Sequence, residues 1–138
     1  LAVIAPRIES GENENLPANS NWVRRRIHQY GMDHNFAGVR HAPCPHPSQS
    51  ETERLLDQDI NQLCDLVRGG MANALKDTGI KQSQLACEED DADVLFFACT
   101  IWSGLLDPVQ ENVPARVLDP VATPVRFAEM LARNCINP

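Results

Sequence analysis

Asp93-Val-Leu-Phe-Phe-Ala-Cys-Thr100 is the stretch on which the fold turns. Residues 94–98 form a continuous apolar run, too short to span a membrane and bounded by charge on its amino side. Such a run reads as a strand of a parallel sheet, buried on both faces. Ligands of open parallel sheets bind outside the carboxyl ends of the strands. Cys99 and Thr100 stand at that edge, where chemistry is expected. The residue type leaves a second reading open, because a free cysteine is most often a small buried hydrophobe.

Working outward from this strand, residues 85–91 are the acidic end of a helix leading into it. After it, residues 101–106 read as the start of a helix, which residues 108–112 continue. Residues 114–120 hold a further strand with Val117 and Leu118 buried, and residues 123–133 a last helix with Val125, Phe127, Ala128, Met130 and Leu131. Toward the amino end, residues 1–5 are a strand and the polar residues 6–15 a loop at its carboxyl end. Pro17 opens a helix with Trp22, Val23, Ile27 and Tyr30 on one face and Gly31 as its C-terminal cap. Residues 36–40 are a weaker strand, and the alternating prolines of residues 42–47 a loop.

Ser50-Glu-Thr-Glu53 has the pattern of a capping box. The helix behind it carries Leu56, Ile60, Leu63, Val67, Met71 and Ala74 on one stripe, interrupted by Gly69-Gly70. Residues 76–84 read as a polar excursion. Strand and helix thus alternate through the chain. The pattern predicts right-handed βαβ units and one α/β domain over residues 1–138, with a parallel sheet and flanking helices.

Bulk properties narrow the function classes. The chain has 138 residues, enough for one core, with 43% hydrophobic and 22% charged residues. A net charge of −7 argues against nucleic acid and anionic membranes as partners. The one basic cluster, Arg24-Arg25-Arg26, reads as a solvated helix face. No apolar stretch reaches spanning length, and no signal peptide is expected. An odd count of five cysteines at irregular spacing is no disulfide framework. A reducing, cytoplasmic setting is expected. The chain opens on an apolar strand without an initiator Met, as a piece of a longer polypeptide or a processed chain would.

Cys99-Thr100 is the strongest chemical candidate. With a helix beginning just after it, the N–H groups of Thr100 and Ile101 would favour a thiolate or a bound carboxylate. A thiol there can act as general acid or base at carbon. On the neighbouring loop, Arg7 could bind a carboxylate and Ser10 donate to one, against the plainer reading of a solvated loop. His41, Cys44 and His46 have metal-ligand chemistry, but their spacing fits no standard zinc pattern, so no metal is expected. Cys64 and Cys87 read as packing, and Cys135 falls in a mobile tail. No glycine-rich phosphate loop and no serine-elbow motif occurs.

Two stretches together resemble a family. Glu88-Glu-Asp-Asp-Ala-Asp-Val-Leu-Phe-Phe-Ala-Cys-Thr100 and Val113-Pro-Ala-Arg-Val-Leu-Asp-Pro-Val-Ala122, with the helix that follows, are similar to the carboxyl-terminal part of the aspartate/glutamate racemase superfamily, hydantoin racemase branch. Leu1-Ala-Val-Ile-Ala-Pro6, Tyr30-Gly-Met32 and Phe36-Ala-Gly-Val-Arg40 agree less specifically. The resemblance spans nearly this whole chain, but only the later half of a family member. It implies one lobe of a two-lobe, pseudo-symmetric fold in which two cysteines exchange a Cα proton without a cofactor. Cys99 matches the second cysteine, and Thr100 a residue that holds substrate. Ala98 stands where the family has glycine, Ala5-Pro6 where it has a threonine pair, and residues 76–84 look like an insertion. The first lobe and its cysteine have no counterpart here.

By that resemblance the expected function is cofactor-independent racemase or isomerase chemistry at the Cα of an amino acid, hydantoin or related small carboxylate. Cys99 would be the general acid/base, with Thr100, Ser10 and Arg7 binding substrate. The other lobe would come from a second copy, in a homo-oligomer, or from sequence outside this chain. The alternatives are a one-cysteine decarboxylase of arylmalonate type, and an inactive lobe that binds a small ligand or a partner protein.

Overall fold

A computed structural model describes residues 1–8, 18–44 and 49–135. Along the chain run β1 (Ala2–Ile8), α1 (Ala18–Gln29), β2 (Gly38–Cys44), α2 (Gln49–Gln58), α3 (Ile60–Ala74), α4 (Ile80–Glu88), β3 (Val94–Phe97), α5 (Asp107–Asn112), β4 (Arg116–Leu118) and α6 (Ala122–Cys135). The strands form one four-stranded sheet in the order β2-β1-β3-β4. Every pairing is parallel, with Ala2 level with Gly38 and Leu95, and Leu95 level with Val117. The α/β class and the parallel sheet are as the alternating pattern predicts.

Side chains alternate across the sheet. Ala2, Ile4, Leu95 and Phe97 face one way, into a core with Met71, Ala74 and Leu75 of the long helical run and Val109 of α5. Val3 and Ala5 face the other way, where α1 supplies the buried Val23. Trp102 is fully buried in the first core and meets the Phe97 ring edge to face, centroids 5.4 Å apart.

Several local expectations are corrected. Residues 6–8 are strand, not loop. Pro6 is tolerated there because β1 pairs with β3 only as far as Ile4, so no neighbour asks for the missing N–H on that side. Opposite, β2 follows β1 through Pro43 and Cys44, again where a loop was expected. It is an outer strand, where proline is accommodated. Trp22 on α1 and Tyr30 just after it are exposed, because the helix meets the sheet chiefly through Val23. Gly31 does end α1, with φ +66°, and its N–H donates to the His28 carbonyl.

The helix expected from residue 50 onward begins at Gln49, which puts Ser50 inside the first turn. It breaks at Asp59, not at the glycines. The Asp59 carboxylate accepts from the N–H groups of Asn61 and Gln62 at 3.1 and 3.0 Å and so starts α3. Gly69 and Gly70 lie inside α3, and of the expected stripe Leu63, Met71 and Ala74 are buried while Leu56 and Ile60 are exposed. Residues 76–84 are no polar excursion: a π-helical turn, Leu75–Gly79, joins α3 directly to α4. Its polar groups turn back on the helix. The Thr78 hydroxyl donates to the Ala74 carbonyl at 2.9 Å, and the buried Ser83 hydroxyl to that of Gly79 at 2.8 Å.

The acidic lead-in to β3 has a partner. Arg40 donates from Nε to Asp90 at 2.6 Å and from Nη2 to Asp90 and Glu89 at 3.0 and 2.8 Å, tying β2 to the turn before β3. These hydrogen bonds hold the Asp90 carboxyl below its ordinary range and raise the Arg40 guanidinium. Trp102→Ala is expected to lower unfolding free energy by about 3–5 kcal/mol, as deletion of a fully buried indole does; urea denaturation checks it.

Candidate active site at the carboxyl edge of the sheet

Cys99 lies two residues beyond Phe97, the last residue of β3, and its backbone is still extended (φ −149°, ψ 130°). Pairing with β1 persists one step past the strand, for the Ala98 N–H donates to the Ile4 carbonyl at 2.9 Å. The chain then turns sharply. Thr100–Trp102 form a single 3-10 turn rather than the helix expected from residue 101, and the Trp102 N–H donates to the Cys99 carbonyl at 3.1 Å. The Cys99 side chain is half-buried and packs against the main core, so the thiol is anchored as well as placed at the edge. Thr100 is exposed beside it.

The remaining predicted residues fall out as follows. Arg7 lies on β1, three residues past the point where β1 last pairs with β3, and therefore on the same edge as Cys99. Ser10 lies outside the described residues. His41 and Cys44 lie on β2, while His46 lies outside the described residues. Among the described residues no group of three His, Cys, Asp or Glu side chains is arranged to hold a metal. Cys64 is exposed rather than packed, Cys87 is half-buried against the core, and Cys135 ends α6 instead of lying in a tail. The Trp102 indole N–H is buried without a partner among the described residues, a desolvation cost of about 1–3 kcal/mol.

Asp119 is the residue at this edge that the sequence reading did not single out. Its Oδ1 accepts from the Ser103 hydroxyl at 2.9 Å and from the N–H groups of Val121 and Ala122 at 2.8 and 2.7 Å. Its Oδ2 accepts from the Gly104 N–H at 3.0 Å. One carboxylate thus starts α6 and holds the segment that follows Cys99-Thr100. Gly104 has φ +75°, a left-handed conformation that glycine adopts without strain. The only sequence signal was the Asp-Pro pair after β4, common at turns.

Burial pushes the Asp119 carboxyl up, but the backbone N–H donors and the Ser103 hydroxyl outweigh it and bring it down to about 2 from 3.8. A carboxyl lowered on folding stabilises the fold above its unfolded value, and that contribution is lost as pH falls through the folded value. The melting temperature should therefore fall as pH drops from about 4 to 2, and Asp119→Ala should flatten that dependence. The same substitution should lower stability near neutral pH by about 1–2 kcal/mol, as loss of a helix cap does.

A cavity of about 460 Å³ lies beneath α1, on the face of the sheet that carries Val3. Val3, Phe96 and Ala98 form its floor, and Trp22, Ile27 and Tyr30 its wall. Cys99 is not among its lining residues, so this apolar space is separate from the candidate site.

No family model and no curated protein matches the sequence. Among solved structures, the chain is similar to allantoin racemase from Pseudomonas fluorescens, with a TM-score of 0.60 and 20% identity over 96% of this chain. That match takes in 45% of the racemase, so this chain spans about half the length of the protein it resembles. The likeness is one of fold. A four-stranded parallel sheet flanked by helices matches one lobe of the racemase fold.

Proposed function

We propose that this chain is a lobe of a cofactor-independent racemase, performing acid–base chemistry at the Cα of a hydantoin, an amino acid or a related small carboxylate. The observation that carries the proposal is the position of Cys99. It sits at the carboxyl edge of β3, beside the central strand, in a fold similar to that of an allantoin racemase. Strand ends of this kind are where open parallel sheets bind ligands. The name of the structural neighbour makes a hydantoin-type ring the first substrate to try.

In this scheme the Cys99 sulfur removes or returns the Cα proton on one face. Thr100 and, from β1, Arg7 hold the polar ends of the substrate, and Ser10 donates to the carboxylate or ring carbonyl. A single thiol serves one face of a carbon, so full racemisation takes a second acid/base from another lobe. One-sided proton exchange needs only Cys99.

The half-buried contact of Cys99 with the core favours a second reading, a packing cysteine in a lobe that binds a ligand without turning it over. Solvent exchange separates the two. In D2O the wild type should incorporate deuterium at Cα of a 5-substituted hydantoin or an amino acid, read by NMR, and Cys99→Ser should lose at least a hundredfold of that rate, the typical worth of a positioned acid–base group being about 10²–10⁴. Equal rates in the two proteins would leave the packing reading standing.

A further inference from the structure

Ala98 lines the cavity beneath α1, so Cys99, the next residue of an extended segment, faces the other side of the sheet. There it packs against the main core, the side on which α3 lies. α3 in turn packs against the Thr100–Trp102 turn that follows the thiol. One side chain of α3 reaches the end of that turn: a Cβ added at Gly104 would lie 3.8 Å from Nη2 of Arg68. Gly104 is itself fixed, because its N–H donates to Asp119 at 3.0 Å.

Arg68 is exposed, and among the described residues no hydrogen bond, ion pair or aromatic ring engages its guanidinium. The carboxylate of the same turn does not claim it. Asp119 accepts instead from Ser103, Gly104, Val121 and Ala122. Arg40 is the contrast, with its guanidinium held by Asp90 and Glu89. The chain as a whole carries a net charge of −7, which repels a small anion unless a local cation offsets it.

We propose, resting on the reading of Cys99 as the acid/base, that Arg68 binds the carboxylate of the substrate, so that the site takes an open-chain small carboxylate in preference to a neutral ring. A guanidinium presents two parallel N–H donors that match the two oxygens of a carboxylate. Held this way from α3, the substrate turns its Cα toward the thiol on the β3 side. A neutral ring carbonyl accepts hydrogen bonds without the charge, and so gains less from the same side chain.

Alkylation of Cys99 by two reagents of different charge tests this. The rates with anionic iodoacetate and neutral iodoacetamide are read by peptide mass spectrometry, with Cys64, one helical turn before Arg68, changed to serine throughout. Their ratio cancels the thiol's own reactivity and reports the charge around it. Arg68→Gln should lower the iodoacetate-to-iodoacetamide ratio about threefold or more, the effect of one unit charge within about 10 Å near a protein surface. Arg68→Lys keeps the charge and should stay near the wild type, and about 1 M salt should erase the difference. Hydantoate, an open-chain carboxylate, should slow iodoacetamide alkylation in the wild type but not in Arg68→Gln, whereas hydantoin, the neutral ring, should protect the two equally. An unchanged ratio, a Cys99 that neither reagent reaches, or equal protection of the two proteins by hydantoate would each overturn the assignment. No readout here needs turnover. A charge effect without deuterium exchange at Cα would therefore sink the racemase reading and leave the carboxylate site standing.

Discussion

A parallel sheet has no face it can leave to water, and this requirement organises the rest of the molecule. The central strand β1 is flanked on both sides, and its residues alternate between two interiors. One interior is well filled. The continuous run from α3 through the π-helical turn into α4, with α5 and Trp102, covers Ala2, Ile4, Leu95 and Phe97. Among the described residues, the other is covered by α1. Val3 and Ala5 are buried beneath it, but Phe96 and Ala98 of the next strand are only half-covered. The apolar groove beneath α1 follows from that thinner cover.

The same two-sided burial explains what was legible in the sequence. Residues 94–98 could be read as a strand because burial on both faces leaves an unbroken apolar run, and the alternation around it carried the fold class. What could not be read depends on direction rather than composition. Pro6 and Pro43 read as loop residues because a linear sequence does not reveal toward which neighbour a strand residue's N–H would point. In the fold, β3 has ended on that side of Pro6, and Pro43 is on an outer strand. Likewise the polarity of residues 76–84 suggested a loop, but Thr78 and Ser83 spend their hydroxyls on carbonyls one turn back, which lets a polar stretch stay helical with Ser83 buried.

The candidate site divides in the same way. The position of Cys99 at a strand edge was legible because it follows from the end of the apolar run. The half-burial of its side chain was not, because it depends on which face of β3 the segment continues. Asp119 escaped notice for a related reason. A carboxylate before proline is ordinary turn chemistry, and its partners Ser103 and Gly104 lie 16 and 15 residues away, brought to it only when β4 pairs beside β3.

That carboxylate also joins two stretches of the chain. Its Oδ1 fixes the first N–H groups of α6, and through Ser103 and Gly104 the same side chain holds the turn leaving Cys99. The segment that follows Cys99 and the start of α6 thus share one set of hydrogen bonds. Loss of that one side chain would release both the first turn of α6 and the turn beyond Cys99.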